Sequence, residues 1–331
     1  MVPNSPGPIT YSPAITLVPT YECFNRCQYC NFRTDPGQDT WLSLEAARQQ
    51  LQQARAHGAI EALILSGEVH PASSRRAQWL QHLYDLAALA LDMGLLPHTN
   101  AGPLSQTEMA QLQTVNVSMG LMVEQVTPHL MAGVHRHAPS KEPQLRLQQL
   151  AQAGQLKIPF TTGILLGIGE TTAERRETLR AIARSHQRWG HIQEVILQPH
   201  QPGQHQAQAF PAYSSQALLT VIAEARQLLP ADIVIQVPPN LIDQEAALVQ
   251  ALTCGARDLG GLGPIDEVNP DYPHPSAARL REQLKNLGWE LHPRLPIYPR
   301  YDSWLSPSLR LQVDRWRSQL APVEAPRPAT A

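Results

Sequence analysis

The chain has 331 residues, 43% of them hydrophobic, and a formal net charge of −2, so it can build a large core and carries no basic excess. Nucleic acid and anionic membrane surfaces are therefore not expected partners, the more so because the only lysines are Lys141, Lys157 and Lys285. No apolar run approaches the ~18 residues of a membrane span, and the first eight residues have neither a basic nor an apolar signal region, so a cytoplasmic protein is expected.

Residues 1–12 are Pro-rich and read as an N-terminal arm. Residues 14–19 read as a strand that runs into Cys23-Phe-Asn-Arg-Cys27-Gln-Tyr-Cys30. A helix follows, with Leu44, Ala47, Leu51 and Ala54 on one face, Ser43 as cap and Gly58 as stop. Residues 60–65 form a buried-type strand ending in Ser66-Gly67-Glu68. The alternation continues with a helix over 75–93, a strand near 95–99, a short helix after Ser105 and a strand over 115–119. A helix over 143–154 precedes a strand over 158–166, and Thr171 with Glu174 makes a capping box for the next helix. Strands over 192–197 and 233–237 flank a helix over 214–229, and one more helix follows Asp243. After Cys254 the pattern breaks into glycine-rich sequence, with a last helix over 276–287 and a Pro/Ala-rich end.

Strands alternating with helices imply a parallel sheet, and six or seven such units imply a partial or near-complete (β/α) barrel. The expected division is an arm over 1–12, a barrel core over 13–255, an extension over 256–321 covering the barrel mouth, and a disordered tail over 322–331.

The most informative feature is the trio Cys23, Cys27 and Cys30. Four cysteines in so long a chain are not a disulfide framework, and clustered thiols in a reducing compartment point to metal. Three thiolates fill three corners of a four-iron, four-sulfur cube and leave one iron open, whereas structural zinc sites and electron-transfer clusters normally use four ligands. The alternative is a zinc knuckle borrowing a histidine such as His70. A spacing of three then two residues is not that of paired two-residue zinc ribbons. Cys254, which would close the open corner, reads as a small buried residue at a helix end. The trio follows the first strand, at the end of a barrel where chemistry is placed.

The run C-x3-C-x-Φ-C resembles the signature of the radical S-adenosylmethionine (SAM) superfamily. The resemblance implies a [4Fe-4S] cluster on Cys23, Cys27 and Cys30, with its open iron chelating SAM. One-electron transfer then yields a 5′-deoxyadenosyl radical that abstracts hydrogen from substrate. It also implies roles for other residues. Gly67 and Glu68 take the position of the pair that meets the SAM ammonium, where a carboxylate suits a cation and glycine permits close backbone approach. Gly163-Ile-Leu-Leu-Gly167-Ile-Gly-Glu170 resembles the adenine-contacting motif, with Leu165 at its isoleucine position. Arg146 takes that of an arginine on the SAM carboxylate, and Tyr29 is an aromatic that can pack on adenine. The bland readings are turn-shaping for Gly163, Gly167 and Glu170, and a solvated helix face for Arg146. His98, Asn100, Ser118, Gln198, His200 and Asn240 end strands, and with His135 and His137 indicate a roomy polar pocket.

Segments along nearly the whole chain, among them Leu96-Pro-His-Thr-Asn-Ala-Gly102, Val115-Asn-Val-Ser-Met-Gly-Leu-Met122, His137-Ala-Pro-Ser-Lys141 and Asp258–Pro270, resemble the CofG-type subunits of deazaflavin synthases. This implies a carbon–nitrogen lyase that cyclises 5-amino-5-(4-hydroxybenzyl)-6-(D-ribitylimino)-5,6-dihydrouracil to 7,8-didemethyl-8-hydroxy-5-deazariboflavin with loss of ammonia. It further implies a CofH-type partner subunit and an electron donor such as flavodoxin or ferredoxin. The competing readings are a CofH-type or menaquinone-pathway enzyme that forms the carbon–carbon bond from tyrosine, and a non-enzymatic iron–sulfur or zinc protein.

Overall fold

The computed structural model describes residues 8–242 and 245–320. Eight parallel strands close into a barrel: β1 (Ile9–Leu17), β2 (Glu61–Leu65), β3 (Leu96–Asn100), β4 (Ser118–Gly120), β5 (Phe160–Leu166), β6 (Ile192–Pro199), β7 (Val234–Gln236) and β8 (Asp258–Leu262). Closure comes from β1, which pairs β8 along Thr10–Pro13 and β2 along Ala14–Leu17. Between strands run α1 (Leu44–Ala56), α2 (Arg76–Asp92), α3 (Gln106–Gln113), α4 (Pro143–Gln155), α5 (Thr172–Trp189), α6 (Ser215–Leu228) and α7 (Glu245–Thr253). Every residue of β5 is buried, as a strand covered on both faces must be.

The helix starts follow their local chemistry. Ser43 Oγ accepts from the Ala46 amide, and Ser105 with Glu108 and Thr171 with Glu174 form complete capping boxes. Gly190 ends α5 in the left-handed conformation, at φ 66°. Leu51, Trp79, Leu83, Leu150, Leu179 and Ile222 turn inward from these helices and are fully buried against the strands.

Two boundaries differ from the sequence pattern. The first strand starts at Ile9, so residues 9–12 of the expected arm belong to the barrel; Pro13 is tolerated because the β1–β8 register shifts between Thr10 and Ser12. Residues 1–7, Asp243 and the expected tail over 322–331 lie outside the described residues. The eighth strand lies past residue 255. Its Asp-Leu-Gly-Gly-Leu sequence has little strand propensity, and Gly260 adopts φ 76°, so neighbours rather than composition make it a strand.

Beyond β8 the chain serves both ends of the barrel. Residues 263–274 run over the carboxyl ends of the strands. After α8 (Ala277–Lys285), β9 (Leu291–Pro293) adds in parallel beside the start of β1. Leu295, Ile297 and Tyr301, with Leu309 and Val313 of α9 (Pro307–Gln319), then pack against Ile60, Leu96 and Val117 near the strand beginnings. The far C-terminal part of the expected extension thus seals the end opposite the mouth.

Candidate functional site

The loop after β1 is fixed by backbone bonds to two neighbouring loops. The Gly67 amide donates to Thr20 O at 2.8 Å and the Phe24 amide to Glu68 O at 3.0 Å, tying the cysteine loop to the end of β2. The Arg26 amide donates to His137 O at 2.7 Å and the Gln28 amide to Val134 O at 3.0 Å, tying it to the loop after β4. Beneath it the buried Glu22 carboxylate accepts from the Gly37 amide, Trp41 Nε1 and Arg75. Burial alone would raise its pKa, but those bonds hold it below the usual carboxylate range.

Cys23, Cys27 and Cys30 are all free thiols on this loop. Burial pushes the Cys23 thiol up to about 11, with the Glu68 charge adding to the rise. Burial also pushes Cys27 up to about 12, against the pull of Lys141. These thiols need a strong positive centre to ionise, which bound iron supplies. Among the described residues no three His, Cys, Asp or Glu side chains converge on a single ion. Three thiolates on one loop suit a four-iron cube, in which each takes a different iron. His70 receives the Ala72 amide on Nδ1 and is exposed, and Cys254 follows α7 at the opposite end of the barrel. The three-thiol donor set therefore fits a [4Fe-4S] cluster with one open iron.

Beside the cysteines lies a buried polar knot. Glu68 accepts from Asn25 Nδ2 at 2.9 Å and from Arg146 Nη2 at 3.2 Å. Arg146 is 1% exposed, which removes the solvated-face reading, and it also donates to Met122 O and Ser140 O. Gly67 is required by the approach of the cysteine loop, since a Cβ there would stand 2.2 Å from Glu22 O. The Lys141–Glu124 ion pair, at 2.6 Å, is buried next to this knot. Asn25 and this pair were not singled out from sequence. The signal for Lys141 was its rarity, as one of three lysines in the chain.

The glycine run divides. Leu165 packs with Leu130, Val134 and Ile168 into a small apolar cluster that Tyr29 joins, and the Tyr29 hydroxyl lies 3.0 Å from His135 Nε2. Gly163 is a packing residue, because a Cβ would meet Ile196 O at 2.5 Å and Met122 Sδ at 2.6 Å. Gly167 turns at φ 90° against Tyr213, and the Glu170 carboxylate receives the Gly167 and Ile168 amides, so Glu170 shapes the turn.

The barrel interior holds a cavity of about 180 Å³ open toward the mouth. Of the strand-end polar residues, His98, Asn100 and Gln198 line it, while Ser118 sits behind His98. His200 lies against Phe210, and Asn240 instead holds Asp266 and Tyr272 O of the segment over the mouth. A lower polar layer was not visible in the sequence. Arg294 binds Asp258 with two bonds and lies 2.6 Å from Glu194, with Glu61 also lining the cavity. One guanidinium cannot balance three buried carboxyl groups. Burial pushes Glu194 up to about 7 against Arg294, with Asp258 adding to the rise, and burial raises Glu61 as well.

Residues 17–182 match the sequence profile of the radical SAM superfamily. The chain is 62% identical over 311 residues to the 7,8-didemethyl-8-hydroxy-5-deazariboflavin synthase of Trichormus variabilis, covering 94% of this chain and 92% of that protein. It is also 62% identical over 314 residues to the synthase of that name from Synechococcus elongatus, covering 95% and 94%. Among solved structures, the fold resembles the FeFe-hydrogenase maturase HydG of Carboxydothermus hydrogenoformans, with TM-score 0.73 and 18% identity over 94% of this chain and 78% of that one. It also resembles methylornithine synthase PylB, with TM-score 0.69 and 13% identity over 90% and 86%.

Proposed function

The chain belongs to the radical SAM superfamily and, within it, to the 7,8-didemethyl-8-hydroxy-5-deazariboflavin synthases, and from that premise we propose how its own residues carry the reaction. It is a radical SAM carbon–nitrogen lyase of deazaflavin biosynthesis, and its cofactors are a [4Fe-4S] cluster and SAM. When bound, these supply a one-electron cleavage that gives a hydrogen-abstracting radical.

Cys23, Cys27 and Cys30 hold the cluster, supported by the three buried or half-buried thiols of one pinned loop. Glu68 receives the SAM ammonium, with Gly67 allowing the cysteine loop to lie against it and Asn25 fixing the carboxylate. Arg146 orients Glu68 and offers its positive charge to the SAM carboxylate. Tyr29 and Leu165 form the apolar face for adenine, and Gly163 and Gly167 let β5 and its turn pack closely enough to present it.

The substrate is the hydroxybenzyl–ribitylaminouracil adduct, bound in the barrel cavity. Its ribityl hydroxyls and pyrimidine ring need donors and acceptors, which Asn100, Gln198, Gln236 and Asn269 provide at the cavity wall. Residues 263–274 cover the mouth and exclude water. Three latches support that role: Glu267 with the Tyr21 hydroxyl at 2.7 Å, Asp271 with Asn31 at 3.1 Å, and Asp266 with Asn240 at 2.8 Å. A CofH-type subunit delivers the adduct and a flavodoxin or ferredoxin delivers the electron. Free thiols on the cluster loop are supported by a reducing cytoplasm. Among the described residues no helix is long and apolar enough to cross a membrane.

The observation that carries this reading is the pinned three-cysteine loop facing Glu68 above a polar barrel cavity. The test is anaerobic incubation of the reconstituted protein with adduct, SAM and a strong reductant, followed by mass spectrometry. The expected products are the deazaflavin, ammonia, methionine and 5′-deoxyadenosine. Consumption of tyrosine and aminouracil without a partner would instead assign the carbon–carbon bond-forming step.

A further inference from the structure

Inside the barrel cavity, the surrounding atoms dictate which nitrogen of one histidine carries its proton. His98 Nδ1 lies 2.7 Å from Ser118 Oγ, and Ser118 Oγ lies 2.6 Å from the Pro296 carbonyl oxygen. Two oxygens that close need a proton between them, and a carbonyl has none to give. The single Ser118 proton therefore points at Pro296. Ser118 must accept from His98, so Nδ1 is the protonated nitrogen and Nε2 is a bare lone pair.

The space around Nε2 is kept open. Among the described residues it has no hydrogen-bond partner, and His98 lines the cavity. A Cβ at Gly120 would stand 2.8 Å from Nε2. Gly120 is not among the residues of positive φ, so its backbone would admit a side chain. The glycine keeps a side chain off both the imidazole and the Thr161 carbonyl, 3.2 Å from the same position. Burial, and then the Arg294 charge, depress the His98 pKa to about 3, which keeps the ring neutral near pH 7. A group this weakly basic serves as an acceptor rather than as a proton store.

We infer that His98 Nε2 is a fixed acceptor in the barrel cavity, receiving a hydrogen bond from an N–H or O–H group of the substrate and selecting for a donor at that position. This rests on the cavity being the adduct site. A ligand that offers a carbonyl there would set acceptor against acceptor and be rejected, which is how a buried polar site discriminates strongly. Ser118 and Pro296 act through His98, as positioning groups that lock its tautomer.

The deazaflavin product, 7,8-didemethyl-8-hydroxy-5-deazariboflavin, is the probe. In ring-15N-histidine NMR of the full-length wild-type protein, the His98 signals, identified by their loss in His98→Phe, are expected to show a protonated Nδ1 and a bare Nε2. Adding the deazaflavin should shift the Nε2 signal toward the hydrogen-bonded range. By calorimetric titration, His98→Phe and Gly120→Ala should each weaken deazaflavin binding about 5- to 150-fold, the range for leaving one buried donor unpaired. A protonated Nε2 in the free protein would overturn the inference whatever the affinities of the variants. So would binding by the folded His98→Phe and Gly120→Ala variants equal to that of the wild type. If the wild type itself bound no deazaflavin, the cavity assignment would fall and the inference with it, while retained binding in the variants would remove the inference alone.

Discussion

Replacing Arg294 by methionine tests how the base of the barrel is held. The methionine keeps much of the stem's volume and removes only the charge and the donors. In the wild type the guanidinium gives two bonds to Asp258, at 2.6 and 2.8 Å, and sits 2.6 Å from Glu194, with all three side chains buried. Removing one partner of a buried ion pair costs about 3–5 kcal/mol, mostly because the other charge stays behind without compensation. At about 2.1 cal/mol/K of unfolding entropy per residue, 331 residues lose about 1.4 °C of Tm per kcal/mol, so Tm should fall by about 4–7 °C. The sign of the pH effect follows from Glu194, whose pKa burial already raises to about 7. Without Arg294 it rises further, so between its unfolded value of about 4.5 and that raised value the folded state binds more protons than the unfolded one. The deficit should therefore shrink as pH falls from about 8 to about 6. Adding Asp258→Asn should recover part of the loss by removing a second buried charge. Circular dichroism melts of the three proteins across that pH range decide it. A variant that melts with the wild type at about pH 8, or a deficit that does not shrink on acidification, would refute the reasoning.

Other outcomes follow from the same geometry. Gly67→Ala places a methyl 2.2 Å from Glu22 O, so the cysteine loop must move and iron uptake on anaerobic reconstitution should drop several-fold, whereas Cys254→Ala should take up iron like the wild type. His191 is fully buried, and burial pushes its pKa down to about 3. Its neutral form contributes stability that is present above about pH 6.5 and lost as pH falls toward 3, so His191→Leu should flatten the fall of Tm on acidification, by up to about 2 kcal/mol at pH 5. Asp271→Ala frees Asn31 and the Gln204 amide. It should speed amide exchange over residues 263–274 and raise KM for the adduct a few-fold with little change in Tm; unchanged exchange there would count against a cover.

The chemistry at the mouth was legible because its residues lie close together in sequence or end strands of obvious pattern. Three cysteines in eight residues, and Gly67-Glu68 after an apolar strand, announce themselves. The base of the barrel was not legible for the opposite reason. Glu61 stands in an otherwise apolar run and Glu194 follows Gln193 at the head of another, and their cation, Arg294, lies far along the chain. Nothing local marks an acid whose partner is so remote. Arg146 shows the same limit in reverse. Its glutamine neighbours suggest solvent, yet α4 buries Arg146 together with Gln149, and Arg146 reaches Glu68. Strand β8 escaped notice because its two glycines hide a segment made extended by its neighbours on either side.

Strand β1 also sets a timetable. It carries the cysteine loop at its far end, yet two of its pairing partners, β8 and β9, are the last strands among the described residues, with Thr10 bonding Asp258 across 248 residues of sequence. On a ribosome the three thiols emerge within the first tenth of the chain and wait, reactive, until nearly all the rest has followed. The loop acquires its fixed shape only once β8 and β9 have paired with β1, so the folded cluster site cannot form before those late strands exist.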